Sequence, residues 1–172
     1  MTSFVIDAHV GRDLPVSWCI DEGCPFCNIV RRAAPAHRIY EDGYVAAFLD
    51  ILPLRPGHTL VVPKTHISRV SELPADFAAA LGVAVSKISS ALTKAMENTA
   101  LNIVCNQEYA QAVPHVHYHI IPAPRPGESQ HRRVDKQLPE DMLDMHRREF
   151  HSRNELDDDD AKDIVGRIKA FL

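Results

Sequence analysis

Apolar and polar positions change period several times along this chain, and each change marks an element. From Pro74 to about Asn98, Phe77, Leu81, Ala84, Ile88, Leu92 and Ala95 recur at helical spacing. That stripe predicts one long helix lying across a sheet. Upstream, residues 38–41 and 44–49 read as two strands around Asp42-Gly43, a dipeptide that supplies the positive φ of a tight hairpin turn. Pro53-Leu54-Arg55-Pro56-Gly57 reads as a loop, and 58–63 as a third strand. Residues 101–106 and 115–121 form two more, joined by a turn. Pro25 suits the first turn of a short helix over 25–32. These elements predict an α+β fold: a mainly antiparallel five-stranded sheet packed with a long helix.

The ends follow different patterns. Residues 1–21 show no period and read as an arm, ahead of a domain over 22–124. Pro122, Pro124, Pro126 and Gly127 then end regular structure. The extension over 125–172 is expected to be helical and packed on the domain, with one helix from Pro139 to Phe150. Its run Asp157-Asp158-Asp159-Asp160 precedes Ile164, Ile168 and Phe171. Acidic residues favour the positive end of a helix dipole, so the run reads as the start of a second helix.

Composition narrows the function. The chain has 172 residues, 45% of them hydrophobic, and a formal charge of −4. Length and apolar content suit one domain with its own core. The mild negative charge offers no basic surface for nucleic acid. The apolar runs fall short of a membrane span, and the start lacks the pattern of a signal peptide. The expected setting is the cytoplasm, with the nucleus as a second compartment. There, four cysteines serve as thiols or metal ligands and not as a disulfide scaffold.

Ten histidines direct attention to where they cluster. In His115-Val116-His117-Tyr118-His119, strand geometry puts the histidines on one face, with neighbours about 7 Å apart. Val116, Tyr118 and Ile120 take the other face. Such a row can hold a metal, bind an anion, or transfer protons and phosphoryl groups. Cys24-Pro25-Phe26-Cys27 is a redox pair, a metal half-site or a coincidence. No strand leads into it, as a thioredoxin-like motif requires, and a zinc site needs two further ligands.

The segment His115-Val116-His117-Tyr118-His119-Ile120-Ile121 resembles the alternating signature of the histidine triad superfamily. Phe48-Leu49-Asp50-Ile51, the stretch from Pro56 through His58 to Lys64-Thr65-His66-Ile67, and Asn106 match in the same order. The likeness covers about 24–122 and is greatest to the histidine triad nucleotide-binding proteins, the adenosine phosphoramidases. The tail beyond Pro124 departs from the short Trp-containing end of many members.

The resemblance implies a HIT-like fold, a homodimer and a purine nucleotide partner such as AMP. It makes His117 the nucleophile on an α-phosphate, through a nucleotidyl-imidazole intermediate that water hydrolyses. It gives His119 and His58 the phosphate oxygens, and Asp50 the ribose hydroxyls. Phe26, Ile29, Phe48, Ile51 and Leu60 would line the base pocket, although each reads equally as core. Asn106 and Gln111 fall at phosphate-side positions. Where relatives often carry Gly-Gln-Ser, this chain has Ala110-Gln111-Ala112, so Ala112 removes a hydroxyl on the leaving-group side. His66 and His115 would complete a structural zinc site with Cys24 and Cys27, leaving His115 a catalytic aid only indirectly. No organic cofactor is expected. The implied activity is hydrolysis of purine nucleoside phosphoramidates or related AMP conjugates. The alternatives are hydrolysis of dinucleoside polyphosphates, or a nucleotide-binding regulatory module with little turnover. DNA deadenylation would require a basic surface and an extra finger, and the sequence shows neither.

Overall fold

Strands β2 (Val45–Leu49) and β3 (Thr59–Pro63) are buried along their whole length. Both faces of the sheet are therefore covered, which is why these segments carry almost continuous apolar runs. In the computed structural model, which describes residues 19–108, 110–124 and 155–172, they form the centre of a five-stranded sheet. Helix α1 (Pro25–Val30), strand β1 (Arg38–Glu41), helix α2 (Ala75–Ala95), strands β4 (Leu101–Cys105) and β5 (Tyr118–Pro122) and helix α3 (Asp158–Lys169) complete it. The strand order is β1-β2-β3-β5-β4, and every neighbouring pair is antiparallel. The architecture is the α+β arrangement predicted from the periodicity.

Alternation sorts the side chains into two cores. Val45, Ala47, Leu49 and Val61 face α2 and α3, together with Val116 and Ile120. Ala46, Phe48, Leu60 and Val62 face the other way and pack with Phe26, Ile29 and Val30 of α1. By length and composition α2 is the one described helix that could cross a membrane. Its Phe77, Leu81, Ala84, Ile88, Ala91, Leu92 and Ala95 are instead buried.

The acidic run opens α3. The Asp157 carboxylate accepts from the backbone N–H groups of Asp159 and Asp160 at 2.9 and 3.3 Å, a helix N-cap. Ala161, Ile164 and Ile168 then enter the core shared with α2. The helix expected from Pro139 to Phe150 lies outside the described residues.

Three local expectations change. The β1–β2 turn does not use a positive φ at Gly43; among the described residues Gly57 is the one glycine with that conformation. The Asp42 carboxylate closes the turn by accepting from the N–H groups of Tyr44 and Val45, both at 2.8 Å. The third strand begins at Thr59 and not at His58. Finally, the strand expected over 115–121 begins only at Tyr118. Continuing the register of Val61 with Tyr118 would pair Val116 with Pro63, which has no N–H to donate. The Val116 N–H goes instead to the Ile67 carbonyl at 2.7 Å.

Gly57 holds the entry to β3 with φ +85°, and a Cβ there would lie 3.1 Å from Leu92 Cδ2 and 3.3 Å from Met96 Sδ. Gly57→Ala therefore adds both backbone strain and a clash, and should destabilise the fold by about 1–3 kcal/mol. Urea denaturation measures this; an unchanged midpoint would mean that the turn relaxes without cost.

Candidate active site

The backbone fixes the proton on each histidine facing α1. His117 is 3% exposed and its Nδ1 lies 2.7 Å from the His115 carbonyl oxygen. Only an N–H can bond a carbonyl, so Nδ1 carries the hydrogen and Nε2 the lone pair. Burial pushes the His117 pKa below its ordinary value, opposed by that carbonyl and by the charge of Asp50. The ring is therefore neutral at neutral pH, with a nucleophilic nitrogen.

A second chain of bonds runs beside it. The Leu54 N–H donates to His58 Nδ1 at 3.2 Å. His58 in its neutral form must then carry hydrogen on Nε2, which donates to His119 Nδ1 at 2.9 Å. The hydrogen of neutral His119 thus sits on Nε2. Asp50 Oδ2 lies 3.5 Å from His58 Nδ1, and Asp50 Oδ1 accepts the Leu52 N–H at 2.9 Å. Donor atoms of Asp50, His58 and His119 fall within 4.8 Å of one another. The two nitrogens of His58 serve opposite partners, so this is a hydrogen-bonded relay and not a chelating set. The rings of His117 and His119 stand 4.8 Å apart, edge to face.

The apolar candidates divide. Phe26, Ile29, Phe48 and Leu60 are buried in one cluster. Phe26 stands 5.2 Å from the His117 ring and 5.8 Å from both Phe48 and His115. These four form a floor beneath the histidines. Ile51 lies beyond the end of β2 and is 58% exposed. Asn106 and Gln111 brace the loop between β4 and β5. Asn106 Nδ2 donates to the Ala110 carbonyl at 3.3 Å, and Gln111 Nε2 to the Ser68 carbonyl at 2.8 Å. Ala112 is exposed on that loop. Positive φ at Glu108 and Ala110, neither a glycine, marks the same loop as strained.

The cysteine pair meets two histidines. Donor atoms of Cys24, Cys27, His66 and His115 all lie within 4.8 Å. His115 Nδ1 is 3.5 Å from Cys24 Sγ and 3.6 Å from Cys27 Sγ, and His66 Nδ1 is 3.4 Å from Cys27 Sγ. A tetrahedral zinc with ordinary Zn–S and Zn–N bonds requires S···N separations of about 3.5–3.6 Å, so the set fits such an ion. His115 Nε2–H donates to the Pro63 carbonyl at 2.9 Å, which turns the Nδ1 lone pair toward the thiols. Asp21 Oδ2 lies 3.7 Å from His66 Nε2, placed to orient that ring in the same sense. Burial pushes the His115 pKa down to about 4 and the Cys27 thiol up to about 11. A bound cation would reverse the preference of the thiol. Among the described residues, the sequence reading missed Asp21, the Leu54 N–H and the Pro63 carbonyl. A carboxylate three residues before Cys24 was the one signal available for Asp21; the other two are backbone groups.

Known proteins share both sequence and fold with this chain. The HIT domain family model matches residues 31–125. The protein named hit from Bacillus subtilis is 44% identical over 103 residues, 59% of this chain and 71% of that one. Adenosine 5′-monophosphoramidase HNT1 of Saccharomyces cerevisiae is 35% identical over 105 residues, covering 60% of this chain and 64% of its own. A crystal structure of a Zn-bound histidine triad family protein from Mycobacterium smegmatis superposes with a TM-score of 0.61 at 31% identity, over 86% of this chain and 94% of that one. With its alternating histidines, its sheet order and more than half its length matched, this chain belongs to the HIT domain family.

Proposed function

We propose that the protein binds a purine nucleotide such as AMP and hydrolyses AMP conjugates with a phosphorus–nitrogen bond, through a nucleotide held covalently on His117. The observation that carries this reading is the bond from His117 Nδ1–H to the His115 carbonyl, 2.7 Å long. It commits the Nε2 lone pair of a buried, neutral imidazole to attack. In the first step a bond forms from Nε2 to phosphorus and the bond to the amine breaks, the amine leaving with a proton taken from solvent. In the second, water attacks phosphorus and gives up a proton to solvent, the bond to Nε2 breaks, and AMP departs. His119 Nε2–H, oriented through His58, is the donor for a phosphate oxygen. Asp50 would accept from the ribose hydroxyls, over the floor formed by Phe26, Ile29, Phe48 and Leu60. The name of the yeast relative, an adenosine 5′-monophosphoramidase, supports the choice of substrate class.

The purified protein should release AMP from an AMP–amine conjugate. His117→Ala should lower turnover about a thousandfold or more while still binding AMP. Efficient cleavage of diadenosine triphosphate with no release from the conjugate would favour a dinucleoside polyphosphate hydrolase. AMP binding without turnover of either substrate would favour a regulatory module.

We also propose that Cys24, Cys27, His66 and His115 hold a structural zinc ion. Four protein ligands would leave no open position, so these residues would hold the ion as a brace between α1 and the segment leading into β5, with no water to activate. Thiol ligands of this kind suit a reducing compartment, and we place the protein in the cytoplasm. Protein prepared without added metal should carry about one zinc per chain, lost in Cys24→Ala, and chelation should lower the melting temperature. Elemental analysis that finds no zinc would exclude the site.

A homodimer that extends the sheet follows from the same family reading. Strand β4 ends the sheet on one side, and its Ile103 is 45% exposed. An open, partly apolar edge of this kind favours pairing with another strand. Sedimentation should give twice the 19.2-kDa chain mass; one chain mass at micromolar concentration would refute the dimer.

A further inference from the structure

Helix α3 lies outside the matched family region, yet the segment leading into it touches the turn that builds the site. The turn over 50–57 follows the last rung of the β2–β3 ladder, Leu49 with Thr59. It carries Asp50, and its Leu54 N–H sets the tautomer of His58. Beyond Asp50 no ladder holds it. Its own restraints include the Asp50 N–H on the His58 carbonyl at 2.9 Å, the Asp50 carboxylate on the Leu52 N–H at 2.9 Å and the His58 N–H on the Arg55 carbonyl at 3.0 Å.

An external restraint comes from the C-terminal segment. The Leu156 N–H donates to the Ile51 carbonyl at 2.8 Å. Pro53, Leu54 and Pro56 face Leu156 and Ile164 across a cleft of about 580 Å³. The segment can serve as a fixed point because α3 is rooted in the core: Ala161 and Ile168 are fully buried and Ile164 nearly so. Arg167 also donates to the Ala95 carbonyl at the end of α2. The turn is thus tied to a helix whose release requires opening the core.

We infer that the Leu156 backbone N–H is a positioning group for the active site: it clamps the 50–57 turn so that the Leu54 N–H stays on His58 Nδ1 and Asp50 stays beside it. Its consequence for affinity rests on the reading of Asp50 and His58 as nucleotide contacts. The clamp acts on the relay and touches neither the nucleophile nor the metal ligands.

The test removes one hydrogen atom's worth of donor. The full chain is assembled by ligating a synthetic C-terminal segment in which the Leu156 amide is an ester, and is compared with the same ligation carrying the amide. The ester protein should keep its helical content and lose the N–H bond. Hydrogen exchange at the Leu52 and Leu54 amides should rise about tenfold, and the nitrogen-15 signals of the His58 ring should move toward a mixture of tautomers. AMP affinity should fall about five- to tenfold with kcat changed less than KM. Unchanged exchange and an unchanged His58 ring would overturn the inference, whatever happens to affinity. Faster exchange with unaltered AMP affinity would overturn the positioning role. If the amide protein binds no AMP at all, the exchange and ring signals still decide the clamp, and it is the nucleotide reading that falls.

Discussion

The active-site face depends on one short bond, from the ring of His117 to the carbonyl of His115. A single residue, His115, thereby serves both clusters: its carbonyl fixes the tautomer of His117, the proposed nucleophile, and its ring turns toward the thiols of Cys24 and Cys27. Both are possible because the chain between residues 115 and 117 has left the ladder. Its backbone is held by Ile67 and its His115 ring by Pro63. Had β5 continued to His115, register with Pro63 would have set the Val116 carbonyl opposite a residue with no N–H to donate, at a buried position.

Burial of three histidines would be costly if their polar atoms lacked partners. Here each ring has at least one nitrogen paired: His58 with the Leu54 N–H and His119, His115 with Pro63, and His117 with His115. The same pairing suppresses the alternative tautomers. Desolvation favours the neutral rings of His115 and His117, and the carbonyls decide which nitrogen is left basic. The bonds that satisfy the buried rings are the same ones that set their tautomers, so a buried His117 still presents a basic nitrogen.

Side-chain periodicity made the architecture and the histidine face legible. The stripe from Phe77 to Ala95 is α2, and the alternation of Val116 and Ile120 with the histidines separates the core from the site. The family signature located Cys24, Cys27, His66 and His115 on three separate stretches of chain, and the structure brings their donor atoms within 4.8 Å of one another. What the sequence did not convey is mostly backbone. The Leu54 N–H and the Pro63 and His115 carbonyls exist at every such residue, and only the tertiary path aims them. The Asp42 turn failed for a related reason: Asp-Gly suits two different closures, and the carboxylate that accepts two N–H groups prevailed over a positive φ at Gly43.

The two cores have unequal tasks. The one beneath α1 is the smaller, and its Phe26, Cys24 and Cys27 also meet the histidines. The larger one, between the sheet and α2 with α3, carries most of the buried apolar surface and lies on the opposite face. Placing α3 there lets an element far along the chain secure the 50–57 turn from outside. The turn needs such support because it must leave the ladder to aim a backbone N–H at His58, and a segment released from a sheet has to find its order elsewhere. The Leu156 N–H on Ile51 supplies that order from the face devoted to stability, and so couples it to the face devoted to chemistry.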